Sequence, residues 1–355
     1  MKVILLAPTP PPNGGIAGWT VRMMNAKLKN NWAVEVVDEK LIGRQVFGNK
    51  ANRNIFVEIK RCFNIWKNLI IALRDPEAKV VHSCIPSITT SMMREYVCAL
   101  ITKLKKRKFI IHFRCTVPNT TKGRLGRFFL KKLCNISDLI LTLNTQTNEY
   151  ISNITNSPYV LIPNFISQDE LVESHLIRDS IEKVLYVGGV IEEKGAKDVI
   201  DVACAFPNIE FRMVGEAASD VKEYAKNRQA DNVFFAGNTD REGVKQELKD
   251  ADIFIFMTRF RGEGFSNALA EAMACGLPCI VSDWAANKDM IGSTGGYVVD
   301  VGDVGGAIKS LEMMSGRDVR ERQSLANIEK VAHEYIDSVV LDKYVDVYEK
   351  VISDC

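Results

Sequence analysis

No apolar run in the 355 residues approaches the ~18 needed to cross a bilayer, so no membrane span is expected. The opening MKVILLAPTPPP has one lysine and a few apolar residues before its prolines, too short for a secretory leader. The nine cysteines are scattered without a CxxC pair, which excludes a zinc ribbon or a dithiol redox motif and suits a reducing, cytoplasmic setting. Histidine is scarce: four residues, no HExxH and no Cys/His cluster, so no metal is expected. Low-complexity and Pro/Ser-rich tracts are missing too. What is present is ordinary globular composition, 46% hydrophobic and 25% charged. At roughly 150 residues per domain the length predicts two domains.

The net charge of +2 conceals a strong asymmetry. Residues 1–165 hold 25 basic against 9 acidic residues, and residues 166–355 hold 21 against 35, so the halves carry +16 and −14. A basic half points to an anionic partner: a membrane surface, a phosphate-bearing acceptor or nucleic acid. A merely solvated basic surface is the plainer alternative.

Short β-branched runs alternate with helical patterns along the whole chain. Strands are expected at Val3–Ala7, Val34–Asp38, Lys79–Ser83, Phe109–Phe113, Asp138–Asn144 and Tyr159–Ile162. A second series follows at Lys183–Val187, Ile209–Val214, Asn232–Ala236, Asp252–Met257, Pro278–Ser282 and Gly296–Asp300. Runs apolar on both faces, separated by helices, signify parallel strands in βαβ units. Two Rossmann-like doubly wound domains follow, residues 1–165 and 166–337, with the break near Pro163-Asn164-Phe165. The last helix, about 338–355, carries Val339, Val340, Tyr344, Val347, Tyr348 and Val351 as a stripe. With no strand left to connect, it is expected to pack back on the first domain.

In such sheets ligands bind beyond the carboxyl ends of the strands. The first such turn holds Gly14 and Gly15 before a helix expected over about Ile16–Lys29, where free N–H groups suit a phosphate. It is not GxGxxG, its three prolines are foreign to the dinucleotide fingerprint, and only Asp38 could be read as a ribose acid. The second domain repeats the pattern with Gly188-Gly189 and then Lys194-Gly195, although Lys194 taken alone also reads as a surface lysine. The most informative stretch is Arg261-Gly262-Glu263-Gly264-Phe265-Ser266-Asn267, leading into a helix through Glu271 to Cys275 and stopped by Gly276-Leu-Pro278. Two carboxylates flanking a helix start match a ligand with hydroxyls at both ends and a diphosphate between. His112, Arg114 and His82 fall near strand ends and are either cleft residues or buried structural ones. Asp250-Ala-Asp252 spells DxD but enters a strand, at the wrong end for a ligand, and reads as a cap.

Taken in order, the Gly14-Gly15 turn, His112, Pro163-Asn164, Gly188, Lys194-Gly195 and the Glu263-x7-Glu271 motif resemble the retaining glycosyltransferases of family 4. The resemblance implies the GT-B fold, an α/β architecture of two facing Rossmann-like domains with a cleft between them. It implies a metal-independent, hexosyltransferase-type enzyme that uses a nucleotide-diphosphate sugar, with UDP favoured, as substrate and needs no cofactor. Glu271 would hold the ribose and Lys194 the diphosphate. Glu263, with Gly264, Phe265, Ser266 and Asn267, would contact sugar and phosphate; His112 would meet the sugar, and Gly14 and Gly15 would let the first loop approach the distal phosphate. Catalytic roles fall on His112, Lys194 and Glu263, while Arg114, His82 and Arg261 are candidates for acceptor or phosphate contacts.

One departure stands out. Relatives commonly place an arginine after the glycine of that strand, where this chain has Gly189. Arg259, Arg261 or Arg114 would have to replace it, or Lys194 would carry more of the phosphate charge. The basic half then reads as an acceptor domain: Lys103–Lys108, the segment Lys122–Leu133 and Arg53–Arg74 interleave cations with apolar residues. That pattern suits an anionic membrane surface and a lipid-carried glycan acceptor, with the protein peripheral on the inner face of the membrane. Core packing accounts for the same apolar stripes. A nucleotide-sugar 2-epimerase of the same fold and a non-catalytic nucleotide-sugar-binding subunit are the alternatives; no nucleic-acid motif is present.

Overall fold

The computed structural model describes residues 1–11, 14–40 and 55–353. The chain forms two compact units, Met1–Asn164 with Ser338–Cys355, and Phe165–Asp337.

The first unit runs β1 (Lys2–Ala7), α1 (Gly15–Asn25), β2 (Ala33–Asp38), α2 (Ile55–Ala72), β3 (Ala78–Ile85) and α3 (Thr89–Leu104). It continues through β4 (Lys108–Phe113), α4 (Val117–Thr120), α5 (Gly123–Ile136), β5 (Leu139–Thr142), α6 (Thr145–Ser152) and β6 (Tyr159–Leu161). All ladders are parallel, in the order β2-β1-β3-β4-β5-β6. The central strands are buried on both faces, while edge strand β6 is largely exposed. The expected strand pattern is therefore present, with ends displaced by a residue or two.

Two boundary differences have physical causes. The helix expected to reach Lys29 ends at Asn25, and the chain then turns through Asn30 and Asn31 at φ 57° and 54°. Asparagine tolerates that left-handed region better than most residues. The strand expected over Asp138–Asn144 shortens to four residues because both of its ends do other work. Asp138 accepts from the Phe109 N–H at 2.7 Å, and Asn144 caps α6 through the Thr147 N–H at 2.9 Å.

The second unit runs β7 (Lys183–Val187), α7 (Ala196–Ala205), β8 (Glu210–Val214), α8 (Ser219–Asn227), β9 (Val233–Gly237) and α9 (Arg241–Asp250). It closes with β10 (Ile253–Phe256), α10 (Asn267–Ala274), β11 (Cys279–Ser282), α11 (Asn287–Ile291), β12 (Gly296–Val299), α12 (Val304–Met313) and α13 (Arg317–Glu334). Its parallel order is β12-β11-β10-β7-β8-β9. The strand order reverses between β7 and β10 here and between β1 and β3 in the first unit, so each sheet has a crevice at the carboxyl ends of those strands. At the other end of β10, Asp252 is buried and accepts from the Glu182 and Lys183 N–H groups and from Arg178, which makes it a strand-entry clamp.

The chain then returns to the first unit as α14 (Asp337–Ser353), burying Val340, Tyr344, Val345, Tyr348 and Val351. Tyr344 and Tyr348 are among the largest fully buried side chains of the molecule, so this helix is part of the first unit's core.

Candidate active site in the second unit and a buried histidine pair in the first

The switch point of the second sheet gathers the most residues of the Gly188–Glu271 set. Strand β7 ends at Val187 and is followed by Gly188, whose φ of 144° suits glycine. A short 3-10 turn follows and places Lys194 just before Gly195, which adopts φ 78° and caps α7. A Cβ at Gly195 would lie 2.1 Å from the Met257 carbonyl oxygen, so glycine here is a demand of the fold. This close approach brings the Lys194 turn against the loop leaving β10. There the Lys194 ammonium meets the Glu263 carboxylate at 3.4 Å, both side chains being mostly buried. Its Nζ also sits 5.5 Å from the Phe260 ring centroid and 5.8 Å from that of Phe256.

The loop is held on several sides. The Arg259 N–H donates to the Glu193 carbonyl at 2.9 Å, Ser282 Oγ to the Thr258 carbonyl at 2.6 Å, and the Trp284 indole to the Phe260 carbonyl at 2.8 Å. Tyr186, which the sequence reading did not single out, donates its hydroxyl to the Gly189 carbonyl at 2.9 Å and reaches the Lys194 carbonyl at 3.4 Å. Burial, with the Glu263 carboxylate nearby, pushes this phenol well above its usual range, so it stays a neutral donor. An aromatic two residues before a glycine pair carries no motif, and only the fold reveals its part.

Helix α10 starts beyond Gly264 and Phe265. Ser266 caps it, its hydroxyl oxygen accepting from the Leu269 N–H at 3.3 Å. Phe265 is buried edge-on against Tyr335 at 5.4 Å, which fixes the helix entry. Asn267 opens the helix and Glu271 lies half-buried on its second turn. The arrangement is an ammonium–carboxylate pair beside the positive end of a helix dipole, a setting suited to a phosphate-bearing ligand.

The substitutes proposed for the missing arginine differ in their engagement. Arg259 is bound to Asp198. Arg261 is exposed, and among the described residues no ion pair engages it. Gly14 and Gly15 are exposed at the start of α1; a Cβ at either would meet nothing within 4 Å and neither has a positive φ. The fold does not itself require glycine at those two positions.

His82, His112 and Arg114 are buried inside the first unit. Both histidines lie inside their strands, β3 and β4, and are fully buried, with α14 covering them. His82 Nδ1 lies 2.7 Å from the Tyr348 hydroxyl and its Nε2 3.1 Å from His112 Nδ1. Trp19 packs edge-on against both rings, and Arg114 stacks on Trp19 at 4.4 Å while binding Asn164. Burial and the Arg114 charge push the His82 imidazole down to about 3 and His112 well below its ordinary value, so both are neutral. Cys84 brings a third ligand atom within 4.8 Å of these two rings. Arg114, 3.4–3.5 Å from the His112 ring nitrogens, makes the cluster a poor host for a cation.

Residues 167–328 match the model of the glycosyl transferases group 1 family. Among curated proteins, the phosphatidyl-myo-inositol mannosyltransferase of Mycobacterium leprae is 28% identical over 205 residues, 55% of this chain and 54% of that protein. The chain spans between about half and two thirds of the length of the first curated relatives it matches. Among solved structures, a sucrose-phosphate synthase from Thermosynechococcus elongatus superposes with a TM-score of 0.79 at 12% identity, covering 100% of both chains. Anabaena HepE, solved in complex with UDP, superposes with a TM-score of 0.73 at 14% identity, again over 100% of both chains. Through residues 167–328 the chain is similar to the glycosyl transferases group 1 family, and its two Rossmann-like units are those of the GT-B fold.

Proposed function

We propose that the chain is a metal-independent, retaining hexosyltransferase that moves a sugar from a nucleotide-diphosphate sugar, a UDP-sugar, to a hydroxyl of a lipid-carried glycan. The observation that carries this reading is the Lys194–Glu263 pair beside the start of α10, at the switch point of the second sheet. A diphosphate there would take the ammonium and the helix end, Glu271 the ribose hydroxyls, and Glu263 the sugar. The sugar–phosphate bond breaks, the acceptor oxygen bonds to the same face of the anomeric carbon, and the departing diphosphate oxygen takes the acceptor's proton. The protein's share is electrostatic and positional: Lys194 stabilises the charge that develops on the leaving oxygen. No step in that scheme requires a metal. His112, buried and neutral, is proposed to act by ordering the β4 end rather than by exchanging a proton.

The proposed setting is the inner face of a membrane. Among the described residues no helix is long and apolar enough to cross one. Two helices of the basic unit instead show apolar side chains to solvent. On α2, Phe56 is 77% and Phe63 61% exposed, beside Lys60 and Lys67; on α5, Leu125 is 58% and Phe128 52% exposed, beside Arg124 and Arg127. Side chains this exposed suit insertion among anionic headgroups better than core packing. The test is transfer of labelled sugar from a panel of UDP-, GDP- and dTDP-sugars into membrane lipid extract, with and without a chelator. Chelator-resistant transfer with the donor's anomeric configuration kept is expected. Conversion of the donor without an acceptor would instead indicate an epimerase, and donor binding without turnover a non-catalytic subunit.

A further inference from the structure

The first sheet has its own crevice, at the ends of β1 and β3, and it is occupied by a cavity of about 820 Å³. Its wall runs from Pro8 after β1, past Glu39 after β2 and Ile85 at the end of β3, to the facing sides of α2 and α3. The helices contribute mainly apolar groups: Ile59, Cys62, Phe63, Trp66, Met93 and Val97. At the strand ends the floor is polar. Glu39 is 4% exposed; its Oε2 accepts from Arg94 at 2.8 Å, while its Oε1 is buried and has no hydrogen-bond partner. A buried carboxylate oxygen without a partner is costly, and Glu39 is one of the residues that line this cavity.

The charges around it decide the ligand's kind. Arg94 is held by Glu39 and by Glu95 at 2.6 Å. Arg61 is held by Glu58 at 2.6 Å and by the Glu39 carbonyl at 2.9 Å. The two arginines of the lining are thus matched by three carboxylates, and neither guanidinium is left over for a phosphate. Burial, reinforced by Glu95, pushes the Glu39 carboxyl well above its ordinary range. A hydroxyl both donates and accepts, so it satisfies Glu39 Oε1 with or without a proton there.

We infer that this cavity binds a neutral amphiphile, an acyl or alkyl chain ending in a free hydroxyl, with the hydroxyl on Glu39 and the chain between α2 and α3. Identifying that molecule as the sugar acceptor rests on the transferase reading above; the binding site itself does not. As acceptor it would be the lipid that receives the first sugar, in place of the longer lipid-carried glycan of that reading.

The test titrates 1-monodecanoylglycerol and decyl phosphate, each below its aggregation concentration, into the full chain by calorimetry and Trp emission, with UDP binding measured in parallel. The monoacylglycerol is expected to bind at one site per chain, about tenfold or more tighter than decyl phosphate. Cys62→Trp and, independently, Val97→Phe fill the cavity and should abolish lipid binding, Glu39→Gln should weaken it about five- to tenfold, and all three should keep UDP binding. Equal or tighter binding of decyl phosphate, lack of saturable binding, or wild-type lipid affinity in both cavity-filling variants would overturn the inference. Lipid binding without UDP binding would defeat the transferase reading and leave this site standing; UDP binding without lipid binding would do the reverse.

Discussion

Lys194 meets Glu263 because Gly195 lets two backbone segments approach more closely than any side chain would permit. The fold thus builds its ion pair from the same glycine that the Lys-Gly motif displays. Replacing Lys194 by Ala removes a preorganised cation from the leaving group, and kcat should fall about 10²- to 10³-fold. Steady-state kinetics with the donor found in the panel checks this, and a loss under about fivefold would show that another cation carries the load. In the first unit, His82 makes a pH prediction. Its imidazole is ordinary in the unfolded chain and held down to about 3 when folded, so the unfolded state binds more protons below about pH 6.5. Its contribution is fully present above that pH and is lost as pH falls, with a slope approaching about 1.4 kcal/mol per pH unit. Glu39, held up, acts in the opposite sense as pH rises above the usual carboxyl range. The comparison is therefore between urea midpoints of wild type and His82→Gln from pH 7 to 5, where wild type should lose stability more steeply.

At the scale of elements, the strands were legible because a parallel strand covered on both faces writes a continuous apolar run, as Val3–Ala7 and Phe109–Phe113 do. The site helix was legible from its boundaries, the Ser266 cap and the Gly276-Leu-Pro278 stop. What could not be read was which face of a helix meets solvent. Phe56 and Phe128 have helical spacing whether they enter a core or leave it, and the structure leaves them exposed. Nor could the enclosure of His82 and His112 be read, because their cover comes from a helix more than 200 residues later. Two predictions belong here. The full chain should sediment with anionic vesicles and not with neutral ones. Each well-placed cation contributes about 1 kcal/mol, so reversing the charges of Lys103–Lys108 should release it, as should high salt. Deleting residues 338–355 removes Tyr344 and Tyr348 from the first unit's core, and large buried aromatics cost about 3–5 kcal/mol each when truncated. Limited proteolysis should then degrade the first unit and spare the second; an equally resistant first unit would contradict the place given to α14.

At the scale of the whole molecule, the +16 and −14 halves correspond closely to two units with different work. One joins exposed apolar side chains, basic residues and an apolar cavity; the other holds the ammonium, carboxylates and helix start that suit a nucleotide. On the proposed reading, residues 188–271 of the second unit form a nucleotide-diphosphate-sugar site. That site is tested most directly by thermal shift of wild type and Glu271→Ala against UDP, GDP, ADP and dTDP. A nucleotide at 100 times its dissociation constant adds about 2.7 kcal/mol of stability. One diphosphate, UDP, should raise the wild-type midpoint and leave that of Glu271→Ala unmoved. If no nucleotide raises the wild-type midpoint, or Glu271→Ala responds as wild type does, the donor site is misplaced.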